Sequence, residues 1–123
     1  MDSYKPEGWP AVTPRLITAD VRGLVDFLKR VFGATGEVQA GRPVEMAIAD
    51  SRILVSDGAG LRSATSAFLY VYVPDVDEVW RRAVEAGATT IEAPAGTPYG
   101  DRRAMLEDRW GNIWQVATRT KSV

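Results

Sequence analysis

Two stretches of the chain carry helical periodicity, and most of the rest alternates or clusters apolar residues in short runs. After Asp20, the residues Val21, Leu24, Val25, Leu28, Val31 and Phe32 recur at three- and four-residue spacing, and Gly33 ends the run. That pattern predicts an amphipathic helix over 21–32 with Asp20 as its N-cap. After Asp75, the residues Val76, Val79, Trp80, Ala83 and Val84 repeat the plan, with Glu78 in capping-box position and Gly87 as the stop. A strand-like run precedes each helix, Val12–Thr18 and Ala67–Val73. Short β-rich segments follow: 35–40, 43–49 and 52–57 after the first helix, and 89–93, 101–107 and 112–118 after the second.

The two stretches are related. Placing Asp20 on Asp75 brings Val21 onto Val76 and Leu16 onto Val71 at an offset of 55, which becomes 54 at Gly33-Ala34 and Gly87-Ala88. A strand-helix-three-strand unit therefore occurs twice, and the expected fold class is α+β, two βαβββ modules whose open mixed sheets line a cleft. With 123 residues the chain has room for one domain. Module one spans about 12–57 and module two about 67–119, with a small, polar linker at about 58–66.

Strand parity sorts the side chains. Leu69, Val71 and Val73 form an aliphatic row suited to a helix, which turns Phe68, Tyr70 and Tyr72 to the other face. In the last strand Trp114 and Val116 point to the core, and Ile113, Gln115 and Ala117 to the hollow. Trp80 belongs to the apolar stripe of the second helix and is expected in the core.

Composition narrows the chemistry. The sequence contains no histidine and no cysteine, which removes Ser-His-Asp and Cys-His triads, a histidine general base, disulfides and the usual zinc sites. Fifteen Lys and Arg against sixteen Asp and Glu give a net charge of −1, with no general pull toward nucleic acid or anionic lipid. No segment approaches the roughly 20 apolar residues of a membrane span, and the first residues lack the apolar stretch of a signal peptide. A cytoplasmic protein without nucleic-acid or membrane partners is expected.

The entry Pro14-Arg15-Leu16-Ile17-Thr18-Ala19-Asp20, the helix end Phe27-Leu28-Lys29-Arg30-Val31-Phe32-Gly33-Ala34 and the closing Tyr99-Gly100-Asp101-Arg102 and Glu107-Asp108-Arg109-Trp110-Gly111-Asn112-Ile113-Trp114 carry a resemblance. With the paired βαβββ plan, the chain from about Val12 to Thr118 resembles the vicinal oxygen chelate superfamily of glyoxalases, bleomycin-resistance proteins and extradiol dioxygenases, in its small glyoxalase-like branch. Metal-dependent members hold ligands on the hollow-facing side of the first and last strands of each module. Carried over, those positions are Thr13 and Phe68 for the first strands, and Val55 and Gln115 for the last ones. Two of the four offer no lone pair, so no metal site and no cofactor are expected. The resemblance then implies ligand binding of the bleomycin-resistance type, in which two chains pair and hollows at their interface hold a bulky drug.

A pocket lined by Phe68, Tyr70 and Tyr72 suits a small aromatic or heteroaromatic molecule, with Thr13 and Gln115 offering hydrogen bonds. Arg15 shares the parity of Thr13 and is placed to meet an anionic group, or else Glu45 or Glu107. Arg103 follows a segment, Pro94–Gly100, that reads as a mobile flap, and Trp110 occupies a turn at the pocket rim. Trp9 is expected against the partner subunit. The expected function is metal-independent sequestration of an antibiotic or secondary metabolite by a homodimer, with no catalytic residue. The alternative is a metal-independent lyase or isomerase with Glu45 as carboxylate base.

Overall fold

Asp20 ends the first strand run by turning its carboxylate onto the helix it starts: Oδ1 accepts the Gly23 N–H at 3.1 Å. The helix α1 (Val21–Phe32) buries Leu24, Val25, Phe27, Leu28 and Val31. It stops where Gly33 takes a left-handed φ of 66° and returns its N–H to Lys29 O at 3.0 Å. The computed structural model describes residues 4–58 and 64–120, so the expected linker falls largely on 59–63, outside the described residues. The chain divides into two compact units, Met1–Lys29 with Gly33–Thr65, and Arg30–Phe32 with Ser66–Val123.

In the first unit, β1 (Arg15–Ile17), β2 (Val44–Ile48) and β3 (Ser51–Ser56) form a sheet in the order β1-β3-β2, with β1 parallel and β2 antiparallel to β3. Its buried face carries Leu16, Val44, Met46, Ile48, Ile53 and Val55. Leu16, Val55 and Val44 lie in one cross-strand row, and the next row, on the open face, is Arg15, Leu54 and Glu45.

Three expectations change here. The segment 35–40 forms no strand, only an isolated bridge from Thr35 to Ala47. Gly36, at φ 149°, lies so close to β2 that a Cβ would fall 2.4 Å from Glu45 O, and Gly41 and Pro43 then lead the chain into β2 without a ladder. The first strand is three residues long, since Pro14 has no N–H to contribute, and Thr13 stands before it. Val55 is fully buried on the core face, so the open-face position beside Arg15 is Leu54.

In the second unit, β4 (Phe68–Tyr72), β5 (Thr89–Gly96), β6 (Asp101–Glu107) and β7 (Ile113–Arg119) are ordered β4-β7-β6-β5, with only β4 and β7 parallel. The helix α2 (Val76–Glu85) starts at Asp75, whose Oδ1 accepts from Glu78 N at 3.2 Å. Thr118 Oγ1 accepts from Val76 N at 3.0 Å and donates to Val73 O at 2.8 Å, joining the helix start to β4 and β7. The helix packs on β5, β6 and β7 and buries Val76, Val79 and Ala83, while the sheet buries Ala104, Leu106, Trp114 and Val116. Trp80 is not core: it is half-buried, and its Nε1 donates to Thr90 Oγ1 of the edge strand at 2.9 Å. The indole needs a polar partner for its N–H, and the edge strand supplies one. No helix among the described residues is long and apolar enough to cross a membrane.

Candidate functional site

The open face of the second sheet is where the candidate chemistry gathers. Pairing places Phe68 beside Ile113 and Glu107, then Tyr70 beside Gln115, Met105 and Glu92, then Tyr72 beside Ala117, Arg103 and Ala95. β4 is an edge strand and gives its aromatic row to solvent: Phe68 is 65% exposed, Tyr72 56% and Tyr70 38%. Large rings this open within one strand are a candidate binding surface rather than a core. The Tyr70 and Tyr72 rings are tilted by 57° with centroids 5.4 Å apart.

Both phenols converge on Asp101. Tyr70 OH donates to Oδ2 at 2.6 Å and Tyr72 OH to the same oxygen at 2.8 Å, while Oδ1 accepts from Arg119 Nη1 at 3.2 Å. Asp101 is buried, so these bonds replace the water its charge has lost. The hydrogen-bond inventory fixes the protons. Tyr70 has one and gives it to Asp101, so at its 3.4 Å contact with Tyr99 it accepts. Tyr99 OH in turn accepts from Arg103 Nη1 at 2.9 Å, and Arg103 Nη2 donates to Glu92 Oε1 at 3.2 Å. A directed chain thus runs from Arg103 through Tyr99 and Tyr70 to Asp101.

The acid-base consequences follow from that chain. Bonds from Tyr70, Tyr72 and Arg119 hold the Asp101 carboxyl below the usual carboxylate range, against the opposing effect of burial. Burial, and then the bonds to Asp101 and Tyr99, push the Tyr70 phenol well above its ordinary value. The bond to Asp101 leads the same shift at Tyr72. Neither tyrosine is a base near neutral pH. Their hydroxyls are committed within the protein and the side chains remain open to solvent. Arg103 and Arg119 are matched by Glu92 and Asp101, so the face carries little net charge. The Gln115 side-chain amide, half-buried beside Tyr70, makes no hydrogen bond among the described residues.

The expected site residues divide accordingly. Phe68, Tyr70, Tyr72, Arg103 and Gln115 share this face. Trp110 is half-buried in the β6–β7 turn, its N–H bonded to Asp108 Oδ1 at 2.9 Å. Thr13 and Arg15 belong to the first unit. Glu45 is exposed and paired with Arg42 at 3.5 Å, so it lacks the apolar surroundings that a carboxylate base needs. Trp9 is half-buried in its own chain, with the Arg52 guanidinium 5.5 Å from its ring centroid. The expected flap is largely strand: β5 runs through Pro94 to Gly96 with two register shifts. Its turn is tied down by Thr97 N to Asp101 O at 2.7 Å and Arg119 Nη1 to Tyr99 O at 2.8 Å. Proline fits because β5 is an edge strand with bulges.

Asp101, Tyr99, Glu92 and Arg119 were not singled out from sequence, although the parity of 101, 103 and 105 against buried Ala104 and Leu106 marks Asp101 as open-face. The open-face positions for family metal ligands hold Thr13, Leu54, Phe68 and Gln115, and leucine and phenylalanine have no donor atom. Among the described residues no group of three or more Asp or Glu side chains is placed to hold an ion. The residues do not fit a metal.

Comparison with known proteins agrees with this architecture. The family model of the Glyoxalase/Bleomycin resistance protein/Dioxygenase superfamily matches residues 11–116. An uncharacterized protein of Mycobacterium bovis is 28% identical over 131 aligned positions, covering 93% of this chain and 86% of its own. TioX from Micromonospora sp. ML1 superposes with a TM-score of 0.75 at 24% identity, over 89% of this chain and 98% of that one. TnmS3, an antibiotic binding protein from Streptomyces sp. CB03234, gives 0.71 at 23% identity, over 90% and 99%.

Proposed function

The chain belongs to the Glyoxalase/Bleomycin resistance protein/Dioxygenase superfamily, and from that premise we propose that it binds and sequesters a small planar aromatic or heteroaromatic molecule, an antibiotic or other secondary metabolite, without a metal. The observation that carries the reading is the row of three open rings, Phe68, Tyr70 and Tyr72, two of them locked through their hydroxyls to Asp101. Locked rings lose little rotamer freedom on binding, and each stacked pair adds about 0.5–1.5 kcal/mol beyond area burial. Gln115 supplies orientation. The antibiotic binding described for TnmS3, a protein of the same fold, supports the ligand class. We further propose a cytoplasmic homodimer with the pocket at or near its interface, since the exposed β4 edge gains from cover.

The test is a thermal-shift screen of planar antibiotics followed by calorimetry on the hits, because a ligand that binds only the native state raises the melting point. The Phe68→Ala, Tyr70→Ala double variant should lose at least about tenfold in affinity, from two stacked contacts at about 1 kcal/mol each. Unchanged affinity in that variant refutes the stacking site. Turnover of a bound compound would refute sequestration.

A further inference from the structure

Gln115 lies at the centre of the open face of the second sheet, where its surroundings offer the amide nothing to bond. Its cross-strand neighbours are Tyr70 on β4 and Met105 on β6, and along β7 the same face continues with Ile113 and Ala117. The Tyr70 hydroxyl is committed to Asp101, and the other three side chains carry no strong donor or acceptor. The amide is half-buried in this apolar setting and makes no hydrogen bond among the described residues.

A planar molecule stacked on Tyr70, one strand or about 4.8 Å away, strips water from that amide. A hydrocarbon ring leaves its carbonyl and its NH2 covered and unpaired, which is penalised more heavily than a single hydrogen bond is rewarded. The amide presents an acceptor and a donor side by side on one planar group. A cis-lactam, with N–H beside C=O in the plane of its ring, satisfies both at once. Charge disfavours the nearest competitor, a carboxylate. Arg103 is matched by Glu92 and Arg119 by Asp101, and Glu107, in the Phe68 row, adds a further negative charge to the face. A carboxylate would also set one oxygen against the Gln115 carbonyl.

We propose that Gln115 determines the specificity of the aromatic face, and that the ligand is a neutral planar ring system bearing a lactam or an equivalent N–H beside C=O. The inference rests on the reading of that face as a stacking site, and the experiment separates the two.

The probes are isocarbostyril, a fused bicyclic lactam, its N-methyl derivative and α-naphthoate, each titrated into the full chain to millimolar concentration with backbone and side-chain amide signals followed by NMR. Isocarbostyril should shift the backbone amides of Phe68–Tyr72 and the side-chain NH2 pair of Gln115, and the other two should bind about tenfold more weakly. In Gln115→Leu the lactam should lose about tenfold, and its N-methyl derivative should bind equally well. The Phe68→Ala, Tyr70→Ala double variant should weaken all three probes and keep their order. Equal binding of the N-methyl derivative or of the acid to the native chain, full lactam affinity in Gln115→Leu, or an unmoved Gln115 side-chain signal while the face responds would each overturn the inference and leave the stacking site standing. No shift on the face with any probe, or unchanged affinity in the double variant, would overturn both.

Discussion

Asp108 holds the turn that sets the start of the aromatic strand, and its removal has a calculable cost. The carboxylate accepts four bonds: Oδ1 from Trp110 N and Asn112 N, each at 2.9 Å, and Oδ2 from Asn112 Nδ2 at 2.9 Å and Trp114 Nε1 at 2.8 Å. Asn112 passes the restraint on, because its Oδ1 accepts from Ala67 N at 2.9 Å, immediately before Phe68. Asp108, Asn112 and Trp114 are all buried, so water cannot replace the lost acceptor. In Asp108→Ala at least the two Asn112 donors and the Trp114 N–H are stranded, and at about 1–3 kcal/mol for each unsatisfied buried group the loss is about 4 kcal/mol. Against a total of about 5–15 kcal/mol for a domain, that is a large fraction. It corresponds to a fall in melting temperature of about 15 °C for a chain of this length. Urea unfolding followed by tryptophan fluorescence measures it directly. Asn112→Ala should cost less, since it strands the Ala67 N–H and frees one acceptor site on Asp108 Oδ2, while the backbone N–H of residue 112 still bonds Oδ1. A loss below about 1 kcal/mol in Asp108→Ala would show that the turn is solvated in solution, and would refute the claim that it positions β4.

The remaining predictions concern the tyrosine cluster and the glycine beside β2. Because Asp101 has a depressed carboxyl pKa in the fold, its contribution to stability is present at neutral pH and is lost as pH falls below the ordinary value of about 4 toward the folded one. Asp101→Asn should therefore be less stable at pH 7 and show a flatter acid limb in pH-dependent melting; a limb of unchanged slope would contradict the assignment. The raised phenols work in the opposite direction. Their contribution is complete below the ordinary tyrosine value of about 10 and is lost only as pH rises through the higher folded values. Tyr70 and Tyr72 should stay un-ionised in ultraviolet titration at pH values where free tyrosine has titrated, until unfolding releases them. Gly36→Ala places a Cβ against Glu45 O at an unfavourable φ and should cost about 1–3 kcal/mol, with loss of protection at the Thr35 and Ala47 amides in hydrogen exchange.

The helices and the sense of the second sheet were legible because their signals are local. Asp20, Gly33 and Asp75 act as caps through bonds within three or four residues. Alternation in Phe68–Tyr72 separates an exposed row from a half-buried one, and in β7 it sets half-buried Gln115 between buried Trp114 and Val116, although Ala117, expected on the hollow side, is buried as well. Legibility ended where neighbours decide. Ile53, Leu54 and Val55 are all aliphatic, so parity had nothing to sort, and only the register with Arg15 and Glu45 shows that Leu54 faces outward. Residues 35–40 alternate like a strand, but the approach of Gly36 to the β2 backbone depends on a distant segment. Asp101 reads as an ordinary surface aspartate beside a turn glycine, and its burial under two phenols depends on β4, β6 and β7 together.

The duplicated plan explains how one chain carries two such different surfaces. In the first unit the core row is Leu16, Val55 and Val44, and in the second it is Val71, Val116 and Ala104. These rows are aliphatic in both units, because each must fill the same kind of interior. The adjacent open rows share no chemistry: Arg15, Leu54 and Glu45 in one, Tyr70, Gln115 and Met105 in the other. An open-row side chain meets solvent or ligand, so exchanging it costs the core little, whereas a single slip in register would bury a charge. Recognition can therefore change in one unit without disturbing the fold of either. A charged row and an aromatic row are two outcomes of the same backbone.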